Sequence, residues 1–588
     1  MVAGLILAAW PTPSIHAQST LLVDIRNLTP QEHRSAAFVL PAPQALHLEA
    51  TGAEPRRDRR REFWNWGNED ERTTWPAAAW IIDVRTRNVV WDLRTAETDR
   101  SREGLRRFAG TIQLPAGVYE AHYGSFAATS VTHTGNLDSF ISRSRDRRRQ
   151  GEVRYSGPYV DDGSYRAFAF AIRGEGRPAQ KEDLDSATRA FTGSVVLALL
   201  PENPGTSERT GFELARPTDV EVYAIGELQR NGAYDYGWIQ NADTRRRVWE
   251  MEYARTAPAG GAHKNRMVRD IIRLAAGRYV AYFVSDDSHD PDQWNAVPPY
   301  DPDFWGLTLR VAAPAARAGV RAFEWEPVPA RTIVSLTGMG DDELRSEGFT
   351  LRRPMDVRLY ALGEGSNPDG EMDDYAWIVD ASTRRRVWAM EYGNTEGAGG
   401  ADKNRLFYGS IRLEAGSYLV YYKSDGSHSA GKWNASPPAE SRYWGISVFP
   451  ASGRLDPSAV GPLERAPSSA IAQLIRIRSD KRKHTLFTLE RPTTARIYAI
   501  GEAVGDEMAD YGWIEDAASG DTVWEMTYRA TSPAGGAQKN RVFDGTVRLA
   551  AGRYVLHYQT DGSHAYRDWN DDPPDDPEGW GVAVLRVP

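Results

Sequence analysis

The chain contains no cysteine, which excludes disulfides, thiolate metal sites, iron–sulfur clusters and a thiol nucleophile. Nor does any stretch reach the roughly 18 consecutive apolar residues that a membrane-crossing helix needs. Lysine is scarce, with 8 against 63 arginines. Charge of one sign is scarce too: the net charge is −9 over 588 residues, and no basic tract is long enough to read as a nucleic-acid surface. The Arg-rich runs Arg56 to Arg61 and Arg143 to Arg149 are interrupted by Asp and read as solvated loops. What remains is an ordinary globular composition, 41% hydrophobic and 26% charged, able to fill several cores.

At about 150 residues per domain, this length suggests about four domains. The first residues, Val2 to Trp10, form a short apolar run followed by Pro11, Pro13 and Ala17. This resembles a secretory signal peptide over 1–17, without the usual basic start, and implies a secreted, periplasmic or cell-surface protein.

Self-similarity organises the rest. Tryptophans eleven apart occur four times: Trp80 and Trp91, Trp238 and Trp249, Trp377 and Trp388, Trp513 and Trp524. In the last three copies a Gly-x-Tyr follows at a fixed distance (Gly277, Gly416, Gly552), and a Trp-Gly follows that (Trp305, Trp444, Trp580). The pattern defines a diverged unit over 18–200 and three closer copies over 206–312, 332–450 and 469–588, with Ala- and Pro-rich linkers at 312–331 and 451–468. In the last copy, runs rich in Val, Ile, Tyr and Trp alternate with period two and are broken by Gly, Pro and Asp. Eight such strands, with no helical period of useful length, predict an all-β chain, a tandem array of four jelly-roll-like β-sandwich modules. The paired tryptophans are expected to fill the sandwich cores.

The run Phe487-Thr-Leu, Ala495-Arg-Ile-Tyr, the Trp-Ile-Glu-Asp-Ala turn and Leu549-Ala-Ala-Gly-Arg-Tyr-Val resemble the bacterial pre-peptidase C-terminal type of β-sandwich. That resemblance implies an accessory module of a secreted enzyme. It brings no functional residue with it, and no peptidase domain accompanies the repeats.

Three polar segments recur in modules 2 to 4. One is an acidic loop ending in Asp-Tyr at Asp235, Asp374 and Asp510. The second ends in Lys-Asn-Arg, with Lys264 and Asn265, Lys403 and Asn404, Lys539 and Asn540. The third is Asp-x-Ser-His-x4-Trp-Asn: Asp286, His289, Trp294 and Asn295; Asp425, His428, Trp433 and Asn434; Asp561, His564, Trp569 and Asn570. If each strand crosses the sandwich once, all three loops fall at one end, where sandwiches commonly place recognition. Lysine held at one position in so arginine-rich a chain suggests a need for a compact ammonium, which a salt bridge to Asp510 or Asp561 would meet. Ligand binding, structural bracing and catalysis all remain open for this set. Ser563 and His564 are adjacent and so poorly placed to be nucleophile and base for each other.

No metal motif is present. The acidic cluster Asp571, Asp572, Asp575, Asp576 and Glu578 is the one place where calcium would find oxygen ligands, and its counterpart around Tyr300 to Asp303 shrinks to Glu440 in module 3. The expectation is a secreted, non-enzymatic binding protein without cofactor, metal, nucleic acid or membrane span, its partner a glycan or an extracellular protein. The alternatives are a structural or adhesive surface protein and a secreted hydrolase.

Overall fold

The computed structural model describes residues 20–54, 75–101, 104–126, 164–286, 288–289, 291, 294–366, 372–464 and 470–587. The segment read as a signal peptide and both Arg-rich runs lie outside them. The chain is all-β and divides into two compact units, Met1–Trp325 with modules 1 and 2, and Glu326–Pro588 with modules 3 and 4.

Module 4 shows the plan. One sheet runs, in spatial order, Ala470–Ile475, Gly581–Arg586, Thr493–Val504, Asn540–Leu549 and Ser532–Pro533. The other runs Arg482–Leu489, Gly552–Gln559, Tyr511–Asp516 and Thr522–Glu525. All these neighbours are antiparallel. Every strand expected in this module forms, because each presents one apolar face: in Arg482–Leu489 the buried positions are Phe487 and Leu489, two apart. Ile497, Ala499, Ile514, Leu556, Val582 and Val584 meet between the sheets. Modules 2 and 3 repeat this order of strands in two sheets each, and in module 1 a single bridge, Ala53 to Ala77, joins the two sheets into one.

Three boundaries differ from the sequence reading. Strand Val195–Leu199, inside the range read as module 1, pairs with Gly306–Val311 and so belongs to module 2. The stretches read as linkers contribute Val320–Phe323 and Val460–Pro462, which pair with Ser207–Leu214 and Leu344–Leu351 and widen those sheets. These edge strands are too short to show alternation amid Ala and Pro. An α-helix, Lys181–Thr192, also forms between modules 1 and 2, burying Ala187 and Phe191. Phe191 meets the edge of the Phe304 ring at 5.1 Å.

The tryptophan pairs divide their roles. Ile81 stands opposite Trp91, and Ile514 opposite Trp524. The first tryptophan of each pair therefore sits one residue away from the second in register, and with period two it faces the other side of the sheet. Trp91 and Trp524 fill the cores as expected. Trp80 and Trp377 instead lie in separate clusters on the outer face, a correction to the core expectation.

Candidate functional site

The three polar loops of modules 2 to 4 do meet at one end in each module. In module 4, Asn540 opens its strand directly after a turn in which Gly535 and Gly536 take φ of 82° and 61°. A Cβ on Gly536 would run into the carbonyl of Pro573, so only glycine lets the two loops approach. Asn540 Nδ2 then donates to the carbonyls of Gly535 (2.9 Å) and Asp572 (2.8 Å). With both amide hydrogens engaged, its Oδ1 is left as acceptor, 2.6 Å from Nε2 of the fully buried His564, which fixes the ring proton on Nε2. His564 Nδ1 lies 2.9 Å from Asn570 Oδ1. Burial, with the Lys539 ammonium close by, pushes the imidazole down to about 4, so the ring is neutral near pH 7.

Module 3 repeats the arrangement with His428 to Asn404 at 2.6 Å and to Asn434 at 2.9 Å. In module 2, His289 Nε2 lies 2.5 Å from Asn265 Oδ1. All three histidines occupy left-handed backbone, φ 59°, 51° and 46°. Non-glycine residues rarely hold that conformation, so the side-chain network holds the loop against its own local preference.

The lysines find a different partner from the one anticipated. Lys264, Lys403 and Lys539 pair with Glu227 (2.8 Å), Glu364 (2.8 Å) and Glu502 (3.1 Å), not with the aspartates. Each also donates to the asparagine of the third loop, Asn295, Asn434 and Asn570. Asp286, Asp425 and Asp561 tie the third loop to the first. Their backbone N–H groups donate to Asp235, Asp374 and Asp510 at 2.7–2.8 Å, while their side chains accept from the N–H of Ser288, Ser427 and Ser563.

Asp374 and Asp510 also accept from the indoles of the buried Trp444 and Trp580, at 3.0 and 3.2 Å. Desolvation, reinforced by nearby carboxylates, pushes both aspartates up to about 8, and pushes Asp235 well above the usual range. Trp294, Trp433 and Trp569 stand edge-on against Trp305, Trp444 and Trp580, with centroids 5.0–5.1 Å apart. Trp294 is buried, whereas Trp433 and Trp569 are partly exposed. The polar groups thus cluster, and most of their bonds run to one another.

A second constellation lies on the outer faces, where module meets module within each unit. In the first unit Trp80 stacks on Tyr300, centroids 4.2 Å apart, and donates from Nε1 to the Tyr300 carbonyl at 3.2 Å. Arg87 makes two bonds to Asp301, one of them 3.1 Å, and also reaches Glu120. In the second unit Trp377 Nε1 donates to the Asp575 carbonyl at 2.8 Å, Arg384 pairs with Asp576 at 2.9 Å and Arg386 with Asp575 at 3.0 Å. Lys423 reaches Asp572. The acidic cluster considered for calcium is therefore largely the acceptor of this junction. Its signal in the sequence was the arginine seven residues after the first tryptophan, Arg87 and Arg384.

These features define an all-β protein of tandem sandwich modules, docked side by side within each unit and braced internally at one end. Neither a protein-family model nor a curated protein matches the chain.

Proposed function

We propose that the chain is a non-enzymatic structural or adhesive protein of the cell exterior, its docked modules presenting surfaces to another extracellular protein. One observation carries this reading: the recurrent polar groups that could have formed a reactive site are bonded to each other, while the same indole-to-carbonyl and arginine-to-carboxylate contact joins modules in both units. Neutral His564 gives its one ring proton to Asn540, and no hydroxyl nucleophile is among its bonded partners. The resemblance to pre-peptidase C-terminal domains agrees with an accessory role.

A glycan-binding reading has its own support. Trp433 and Trp569 keep part of their rings open beside Asn434 and Asn570, which are exposed, and an open indole face can stack on a sugar. Repetition of such weak sites would add avidity. Binding of the purified full chain to arrays of extracellular proteins and of glycans separates the two. The adhesive reading expects saturable protein binding that free sugars do not compete and that Trp433→Ala with Trp569→Ala leaves intact. Sugar-competed binding, lost in that double variant without a change of secondary structure, would replace it with the glycan reading.

A further inference from the structure

Two carboxylate triads, Glu364 with Asp374 and Asp425, and Glu502 with Asp510 and Asp561, occupy the same place in modules 3 and 4, and in each the contributing oxygens lie within 4.8 Å of one another. Each triad gathers three separate segments of the sandwich. In module 4 these are the strand Thr493–Val504, the residue before Tyr511–Asp516, and the loop that follows Gly552–Gln559.

A cluster of acids alone says little, but a second observation singles out one atom. Oε2 of Glu364 and Oε2 of Glu502 are buried without a hydrogen-bond partner, in residues that are only 6% and 3% exposed. The lysine serves the opposite oxygen: Lys403 and Lys539 bond Oε1. A buried carboxylate oxygen with no donor is costly, and such atoms are uncommon in folded proteins. Here the same atom is left open at the same position twice. Asp561 is exposed and Asp425 half-buried, which gives each triad access from solvent.

The chemistry of the ligands points the same way. The donors are all hard oxygens, which suit calcium and magnesium over zinc or copper. Calcium takes oxygens at about 2.3–2.6 Å in loose geometry, so oxygens up to about 5 Å apart can share it, whereas magnesium demands a tighter octahedron.

We infer that each triad binds one calcium ion, with Glu364 or Glu502 and the two aspartates as protein ligands and water completing the shell. The lysine stays on the other oxygen of the glutamate, Oε1. Bound in this way, the ion ties three segments of one module together.

The experiment uses the full chain. Calcium bound after equilibrium dialysis against millimolar calcium chloride is counted, and melting is followed in calcium and in EDTA. Asp425→Asn and Asp561→Asn are the variants, because asparagine keeps the Oδ1 that accepts the Ser427 or Ser563 N–H and lies at the open side of the site. Each is expected to lose one bound calcium relative to wild type, and the double variant two. The calcium-dependent rise in melting temperature of the second unit, about 3 °C or more at saturation, is expected to vanish in the double variant. Equal calcium binding by wild type and the double variant would overturn the proposal. So would an absence of bound calcium with a melt indifferent to EDTA, which would mean that the open glutamate oxygen shares the proton of the neighbouring aspartic acid instead.

Discussion

Modules 3 and 4 share a strand order and an end-loop network, yet the outer faces of their second sheets finish differently. On module 3, Trp377 stacks on Tyr421 and gives its N–H to the next module, and Arg384 reaches the buried Asp576. On module 4 the equivalent Trp513 gives its N–H to Glu515 of its own strand at 2.8 Å. It is covered by His557, stacked at 4.7 Å, and by Arg482 at 5.1 Å from the ring centroid. The residue in the place of Arg384 is Gly520, with φ of 79° against 64°. Turn geometry is kept while the docking side chain is removed. The outer face of module 4 thus satisfies itself where that of module 3 docks, through side chains that differ at the equivalent positions, Glu515 for Val379, His557 for Tyr421 and Gly520 for Arg384.

The strongest way to break this comparison is to remove the arginine where it docks. Asp576 is 1% exposed and keeps only the Tyr498 hydroxyl, at 3.3 Å, once Arg384 is gone. Leaving a buried carboxylate without its cation costs about 3 kcal/mol, so Arg384→Ala is expected to lower the melting temperature of the second unit by several degrees. In module 4, Gly520→Ala loses no partner and meets only the left-handed backbone, about 1 kcal/mol. Equal effects in thermal denaturation would show that Arg384 does not carry the junction.

Features that the two modules share should respond alike. Asp374 and Asp510 both sit near 8 in the folded chain, raised chiefly by desolvation. A folded pKa raised above the unfolded carboxylate value means that the native state holds the extra proton. Their contribution to stability is therefore complete below about pH 4 and is lost as pH rises towards and through 8. His428 and His564, pushed down to about 4, act oppositely: their neutral forms favour the native state above the ordinary histidine value, and that contribution fades as pH falls from about 6.5 to 4. The two slopes oppose each other in acid, leaving the carboxyls alone between about 6.5 and 8. In EDTA, the melting temperature is expected to fall across that upper window, and Asp374→Asn and Asp510→Asn should each flatten the fall by a similar amount. A fall removed entirely by one of them would mean that the modules are not equivalent at this position.

How much of this could be read in advance follows from which physics is local. The eight strands of module 4 were legible because period-two burial is written residue by residue, as in Phe487 and Leu489. The gathering of Lys539, Asn540 and His564 was legible because strand parity alone decides which loops share an end. The choice of Glu502 as the lysine's partner was not, since it depends on side-chain reach across the sheet. Nor was the outward face of Trp513. Two tryptophans eleven apart across a hairpin look equivalent until the register, Ile514 opposite Trp524, puts them on opposite sides. Asp576 read as one of an open acidic cluster because a buried counter-ion on a neighbouring module leaves no mark near it in sequence.

The smallest expected effect concerns the closure of module 4 itself. Glu515 is held below the usual carboxylate range first by the Trp513 N–H and further by His557, whose Nε2 lies 3.2 Å away. Glutamine at this position keeps an oxygen for the indole and removes only the charge. A depressed folded pKa means that the carboxylate's contribution is present above the unfolded value, about 4.5, and is lost as pH falls through the folded one. The gap in melting temperature between wild type and Glu515→Gln should therefore be slight at pH 7, shrink further in high salt because the group is partly exposed to solvent, and close in acid. A gap that persists at pH 3 would mean that the glutamine disturbs the packing of Trp513, and that shape rather than charge closes the last module.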